Sequence, residues 1–274
     1  MPPPGLAHLP EPKDLHAQLN SGRPLDWGDP VPTKDEIAAE FGPDATRRSL
    51  TLLARASEIE QQVTDDVVST VGPGAVAYQL ENRLKSPHSL ARKLQNREGS
   101  NFDAQPLEDL IRYTIVAPDP DDIVKTASAA CDSLMAKGWT MESAHHSYVD
   151  DSRYKGLHLF LEIHGERVEL QLHSRESIDV KTRTTPLYLI ERDRQQPKSS
   201  RDTARQECIA LSDQMRQPAG IDDLAVLGGV AVSTRRYGKG RQQPKPRGEV
   251  AQAAQPQAAP RQRLNAIYKD GISQ

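Results

Sequence analysis

The sequence predicts an α+β fold, and three stretches carry that prediction. Two alternating runs, Leu157 to Ile163 and Val168 to Leu172, meet at Gly165-Glu166, and a Gly-X pair between such runs signals a two-residue β-hairpin. The β-rich run Leu110 to Val116 (LIRYTIV), a helical pattern to Lys137 and a further extended run from Trp139 read as a strand-helix-strand crossover. From about Ala45 to Val71, Leu50, Leu53, Ala54, Ile59, Val63 and Val67 fall near one face at helical spacing.

Residues 1–33 are rich in Pro and Gly and read as a disordered arm. Thr33 with Glu36 three residues on makes a capping box for a first helix, and Gly72-Pro73-Gly74 stops the long one. This Gly-Pro-Gly lacks the Lys-Ser/Thr of a phosphate loop and is a helix stop only. From Val76 the period switches to two, placing Gln79, Glu81, Arg83 and Lys85 together on one strand face. Ser86-Pro87 then reads as an N-cap and first helical residue, so the strand delivers two cations to a helix N-terminus, where free N–H groups and the helix dipole favour phosphate. Ordinary solvated charge gives the same pattern.

In the hairpin, pairing about Gly165-Glu166 sets Glu162 opposite Glu169, Phe160 opposite Gln171 and His158 opposite His173. Leu157, Leu159, Leu161, Ile163, Val168, Leu170 and Leu172 form a core face, and His158, Glu162, Glu169, Gln171 and His173 form the other. That second face is either a binding surface or one wet face of a two-layer sheet, which alternates in the same way. His145-His146 lie side by side on a strand, point to opposite faces and cannot share one ion. Beyond it, Ser174 to Gln195 reads as helical segments broken at Pro186, and Ser200 to Met215 as an amphipathic helix with Cys208, Ile209 and Leu211 inward. Leu224 to Val232 is a small apolar patch, and no fixed structure is expected after Ser233.

Composition narrows the function class. Cys131 and Cys208 belong to no CxxC pattern, which argues against a zinc site or a disulfide framework. No apolar run is long enough to span a bilayer and the N-terminus lacks signal architecture, so a cytoplasmic protein without membrane contact is expected. The net charge of −3 conceals an acidic body and a basic tail, with nine Lys and Arg from Ser233 to Gln274 against Glu249 and Asp270. The tail is either a solvated extension or a contact for nucleic acid.

Four motifs then occur in order: Arg83-x-Lys85-x-x-x-Ser89-x-x-x-Lys93, Asp109 at the start of a strand, Tyr154-x-Gly156-x-His158, and Glu169-x-Gln171. Across roughly Val76 to Arg194 they resemble the synthetase domain of the RelA/SpoT family of alarmone synthetases. The resemblance implies a mixed β-sheet flanked by helices, nucleotidyltransferase-like, that transfers the β,γ-pyrophosphate of ATP to the 3′-hydroxyl of GDP or GTP to make (p)ppGpp. It further implies that Arg83, Lys85, Ser89 and Lys93 hold ATP, and that Asp109 and Glu169 are catalytic and bind Mg2+, with Glu169 also drawing the proton from the attacking hydroxyl. Tyr154 would stack on the acceptor base, Lys155 and His158 would lie beside the acceptor, and Gln171 and His173 would support the site. The expected domains are helices at 34–74, the synthetase at 75–218 and a mostly disordered basic tail at 219–274, of which residues 233–274 are expected to be dispensable for transfer.

The chain departs from the family pattern at Thr114 and at His173-Ser174, where many members carry Arg and Arg-Thr, so two phosphate cations are missing or altered. No companion hydrolase signature is present. Two alternatives stay open: a toxin-type relative that pyrophosphorylates the 3′ end of tRNA, held by the basic tail, and a nucleotide-binding module without turnover. A second copy of the chain or an antitoxin is left open as a partner.

Overall fold

In the computed structural model, residues 5–98 and 107–238 are described. The helices α1 (Pro12–Asn20), α2 (Lys34–Phe41) and α3 (Pro43–Ser69) come first, then β1 (Val76–Tyr78), α4 (Pro87–Arg97) and β2 (Ile111–Ala117). After α5 (Ile123–Ala136) and β3 (Thr140–His146) come the hairpin β4 (Leu157–Ile163) and β5 (Glu166–Ser174), then α6 (Arg175–Arg192), α7 (Lys198–Asp213), β6 (Val226–Leu227) and β7 (Val230–Thr234). The strands form one sheet in the order β1-β2-β5-β4-β3-β7-β6. It is mixed: β5 is parallel to β2, β4 is antiparallel to β5 and β3, and β7 is parallel to β3. The β2-α5-β3 crossover leaves room for two strands, and the β4-β5 hairpin fills it.

Alternation sorts the sheet into two unlike faces. Ile111, Ile115, Leu157, Leu159, Leu161, Val168, Leu170 and Leu172 are fully buried in a core shared with Leu50, Leu53 and Val63 of α3 and Ile123, Ala127 and Leu134 of α5. On the opposite face stand Arg112, Glu169, Gln171, His173 and His158, with α6 packed across β2 and β5. Glu169 is 6% exposed, His158 and Gln171 5%, and His173 not at all. A wet sheet face would leave such groups in water, so the two-layer alternative does not describe this fold.

Both predicted caps are formed. The Thr33–Glu36 capping box opens α2, and Ser86 accepts the Ser89 backbone N–H at the start of α4 with Pro87 at its first position. Five expectations are corrected. The hairpin turns at His164 (φ 54°) and Gly165 (φ 77°), both left-handed, rather than at Gly165-Glu166. Partners therefore move by two residues, so that His158 faces Gln171, Phe160 faces Glu169 and Glu162 faces Arg167. A shift of two preserves the faces, because the side-chain period is two.

The strand expected through Lys85 stops at Tyr78, where Gln79 adopts φ 51° and a 3-10 turn follows over Leu80–Asn82. Helix α6 runs unbroken through Pro186, with α7 packed along it and the Cys208 thiol against the Thr184 carbonyl. The N-terminal arm is folded: Leu15, Leu19, Leu25 and Trp27 are buried, and the Trp27 indole donates to the Leu84 carbonyl at 3.1 Å. The C-terminal segment is ordered beyond the expected limit, since Ile221 and Tyr237 are buried and β7 extends the sheet beside β3. The rest of the basic tail lies outside the described residues.

Candidate active site

Because the backbone twists into a 3-10 turn before Arg83, Arg83 and Lys85 do not share a strand face. Arg83 is 1% exposed, ion-paired with Glu60 of α3 and donating to the carbonyls of Pro24, Leu80, Leu19 and Arg23. It pins the N-terminal arm to α3 and takes no part in the site, which corrects its expected contact with ATP. Lys85 does turn toward the site, its ammonium 3.1 Å from Asp109 Oδ2, while Lys93, two turns along α4, donates to Asp109 Oδ1.

Asp109 is 8% exposed just before β2. Burial alone would raise its pKa, but Lys85 and Lys93 outweigh burial and bring it down to about 2. Burial conversely lowers Lys85, against the pull of Asp109. Glu169 stands on β5 directly beside Arg112 of β2. Burial works to raise its pKa, and hydrogen bonds from His158 (2.8 Å) and Gln171 (2.9 Å) together with the Arg112 charge bring it below the usual carboxylate value. Both carboxylates are therefore ionised at neutral pH. His158 Nε2 and Gln171 Oε1 are buried without a hydrogen-bond partner among the described residues.

The remaining sheet-face groups interlock. Tyr154 OH and His173 Nε2 are 2.9 Å apart, and His173 Nδ1 meets Ser177 Oγ at 3.0 Å. His145 stacks on His158 at 4.8 Å and reaches the Tyr237 hydroxyl at 3.0 Å. Gly156 lies where these rings converge: a Cβ there would come to 3.0 Å from Tyr154 OH and His173 Cε1, so a larger residue would push the rings apart. Lys155 turns away from the cluster, buried and paired with Asp213 at 2.9 Å, so its expected place beside the acceptor is corrected.

Two clefts open on this face. The first is lined by Lys85, Ser86 and Ser89 at the start of α4, with Trp27 and Pro186 opposite. The second is lined by Tyr154, His158, Glu169, Gln171, Tyr188 and Tyr237. Asp109, Arg112, Lys181 and Thr185 line both, so the clefts meet at one carboxylate and two cations.

Asp109 and Glu169, both ionised and lining the second cleft, fit a Mg2+ site of the usual kind, in which one or two carboxylates share the ion with substrate phosphates. Asp109 Oδ2 is buried with no hydrogen bond, only its ion pair to Lys85. Among the described residues no group of three or more His, Cys, Asp or Glu side chains is arranged to hold a metal. Nor, among them, is any helix long and apolar enough to cross a membrane.

Among solved structures, small alarmone synthetases and a GTP pyrophosphokinase family protein align with this chain at low TM-scores. The small alarmone synthetase 1 of Bacillus subtilis, bound to its product pppGpp, is 16% identical with a TM-score of 0.36, covering 56% of this chain and 84% of that one. The same enzyme in a second structure is 17% identical at a TM-score of 0.36, over 62% and 88% of the two chains. A GTP pyrophosphokinase family protein of Streptococcus pneumoniae is 15% identical at a TM-score of 0.36, over 69% and 93%. At these values the likeness decides nothing about the fold or the site. No family model and no curated protein matches the chain.

Sequence reasoning missed Arg112, Lys181 and Tyr237. Arg112 sits within a run read as a buried strand, Lys181 on a helix read as broken, and Tyr237 in a segment read as unstructured. Only the i, i+2 relation of Arg112 to Thr114 was there to be used.

Proposed function

We propose that this chain is a nucleotide pyrophosphokinase, moving the β,γ-pyrophosphate of ATP to the 3′-hydroxyl of GDP or GTP. One observation carries the reading: a cleft at a helix N-terminus and a cleft lined by aromatic rings meet at Asp109, Arg112 and Lys181, with Glu169 on the acceptor side. The order of the motifs from Lys85 to Gln171 supports it independently.

The residues divide the work. ATP phosphates are held by Lys85, Lys93, Ser89 and the α4 N-terminus, where the helix dipole favours anions. Tyr154 offers a ring to the acceptor base, beside His158. Glu169, ionised and oriented by His158 and Gln171, accepts the hydrogen of the attacking hydroxyl and takes up its proton. The O3′–Pβ bond forms, the bond from Pβ to the α-bridging oxygen breaks, and AMP leaves with that oxygen. Magnesium, when bound by Asp109 and Glu169, would neutralise phosphate charge. His158, its Nδ1 turned to Glu169, orients that carboxylate.

Purified protein given Mg2+, ATP labelled in its β,γ-phosphates and either GDP/GTP or tRNA tests the reading through the mass of the labelled product. Labelled guanine nucleotide supports it. Label in tRNA instead makes the chain a toxin-type transferase, and label in neither leaves only nucleotide binding.

A further inference from the structure

Passing a pyrophosphoryl group between two clefts needs cations where they meet, because the negative charge spread over its oxygens and developing on the leaving oxygen must be stabilised in the transition state. The two positions at which the motif resemblance expects such cations do not supply them. Thr114 is neutral, on β2 opposite Gln171. His173 is fully buried between Tyr154 and Ser177, and burial first, then Lys181, His158 and Arg112, hold its pKa well below 6.5, so the ring is uncharged.

Arg112 and Lys181 stand there instead. Arg112 is two residues before Thr114 on the same face of β2, one pleat nearer Asp109 and beside Glu169. Lys181 comes from α6, half-buried, and its ammonium makes no hydrogen bond or ion pair among the described residues. Both line both clefts. Neither belongs to any of the four motifs.

We propose that Arg112 and Lys181 are this chain's phosphate-binding cations for a nucleoside triphosphate, standing in for the charges absent at Thr114 and His173. The inference rests on the pyrophosphokinase reading for its purpose, though not for its binding test. Arg112, Glu169 and His173 act electrostatically on or with the ammonium, and Asp26, Lys85, Glu108, Asp109 and Cys208 line the clefts it lines. Burial, followed by the Arg112 charge and against the pull of Glu169, lowers Lys181 to about 8. Phosphate held by Lys181 therefore loosens as pH rises through that value.

Isothermal titration with ATP and, separately, with AMP at pH 7 and pH 9 tests this. Lys181→Met is expected to weaken ATP binding about 10- to 100-fold, the size of a charge-assisted hydrogen bond, and to leave AMP binding unchanged. Lys181→Arg is expected to restore ATP affinity and to remove its fall toward pH 9. Arg112→Gln is expected to weaken ATP selectively, with the melting transition retained. ATP affinity equal in wild type and Lys181→Met, or ATP and AMP affinities falling in step, overturns the assignment. Wild type that shows the expected binding but transfers nothing keeps the two cations and removes the pyrophosphokinase reading. Wild type that binds no ATP removes both.

Discussion

The donor-side cleft takes Lys85, Ser86 and Ser89 from one short stretch of chain, in which a serine cap and a helix set the side chains locally, and shares Arg112 and Lys181 with the acceptor side. The acceptor-side cleft gathers Glu169 and Gln171 from β5, His158 from β4, His145 from β3 and Tyr237 from beyond β7. Apart from those two shared cations, one is a local device, and the other exists only once the sheet has closed. Their sensitivities therefore differ: changes on the donor side act on ATP, whereas changes on the acceptor side act on chemistry and acceptor. Glu169→Gln sharpens this most. The amide keeps the shape and loses the charge, so transfer is expected to fall about 10²- to 10⁴-fold, the range of a general base, with ATP affinity and melting temperature little changed. Full activity would remove Glu169 from the chemistry.

The same contrast explains what could be read from sequence. The capping box at Thr33 and the Ser86-Pro87 start of α4 were legible because a cap needs only its own turn. The faces of the hairpin were legible from period two, yet its register was not, because His164 accepts a left-handed conformation that sequence alone does not demand. Arg83 was misassigned for a related reason. Alternation was carried through Gln79, whose φ of 51° breaks it, and Arg83 and Lys85 diverge. The acceptor wall from Arg235 to Tyr237 had no local signal, since its order comes from distant partners: it follows β7, which pairs with β3, and its backbone is held by hydrogen bonds to His146, Ser152 and Arg153.

Arg83 tests the division from the stability side. Its pair with Glu60 is buried, and removing one partner of such a pair costs about 3–5 kcal/mol. Arg83→Ala is expected to lower unfolding stability by that amount while the ATP KM of the remaining folded protein stays put. A raised KM without a loss of stability would return Arg83 to the donor cleft.

Asp109 joins the two clefts and links folding to acid. Its pKa falls from 3.8 unfolded to about 2 folded, so its contribution is complete above pH about 4 and is lost as pH falls through about 2. The linkage is worth about 2 kcal/mol. Urea unfolding at pH 6 and at pH 3 should show part of this loss in wild type, and less of it in Lys93→Met, where one of the two cations lowering Asp109 is gone. An equal loss in both would mean that Lys93 does not hold Asp109 ionised.

The smallest effect discriminates best between a tail that is merely attached and a strand that completes the cleft. Truncation after Gly238 leaves β7, the His145–Tyr237 contact and the Arg235 guanidinium over the Tyr237 ring in place, and transfer should not change. Truncation after Thr234 keeps β7 but removes Arg235 and Tyr237, both lining the acceptor cleft. The acceptor KM is then expected to rise about 10-fold, the scale of one lost hydrogen bond with its packing, while the ATP KM holds. If the two truncations behave alike, the acceptor cleft is complete without Tyr237, and the contrast between a local donor site and an assembled acceptor site narrows to the sheet itself.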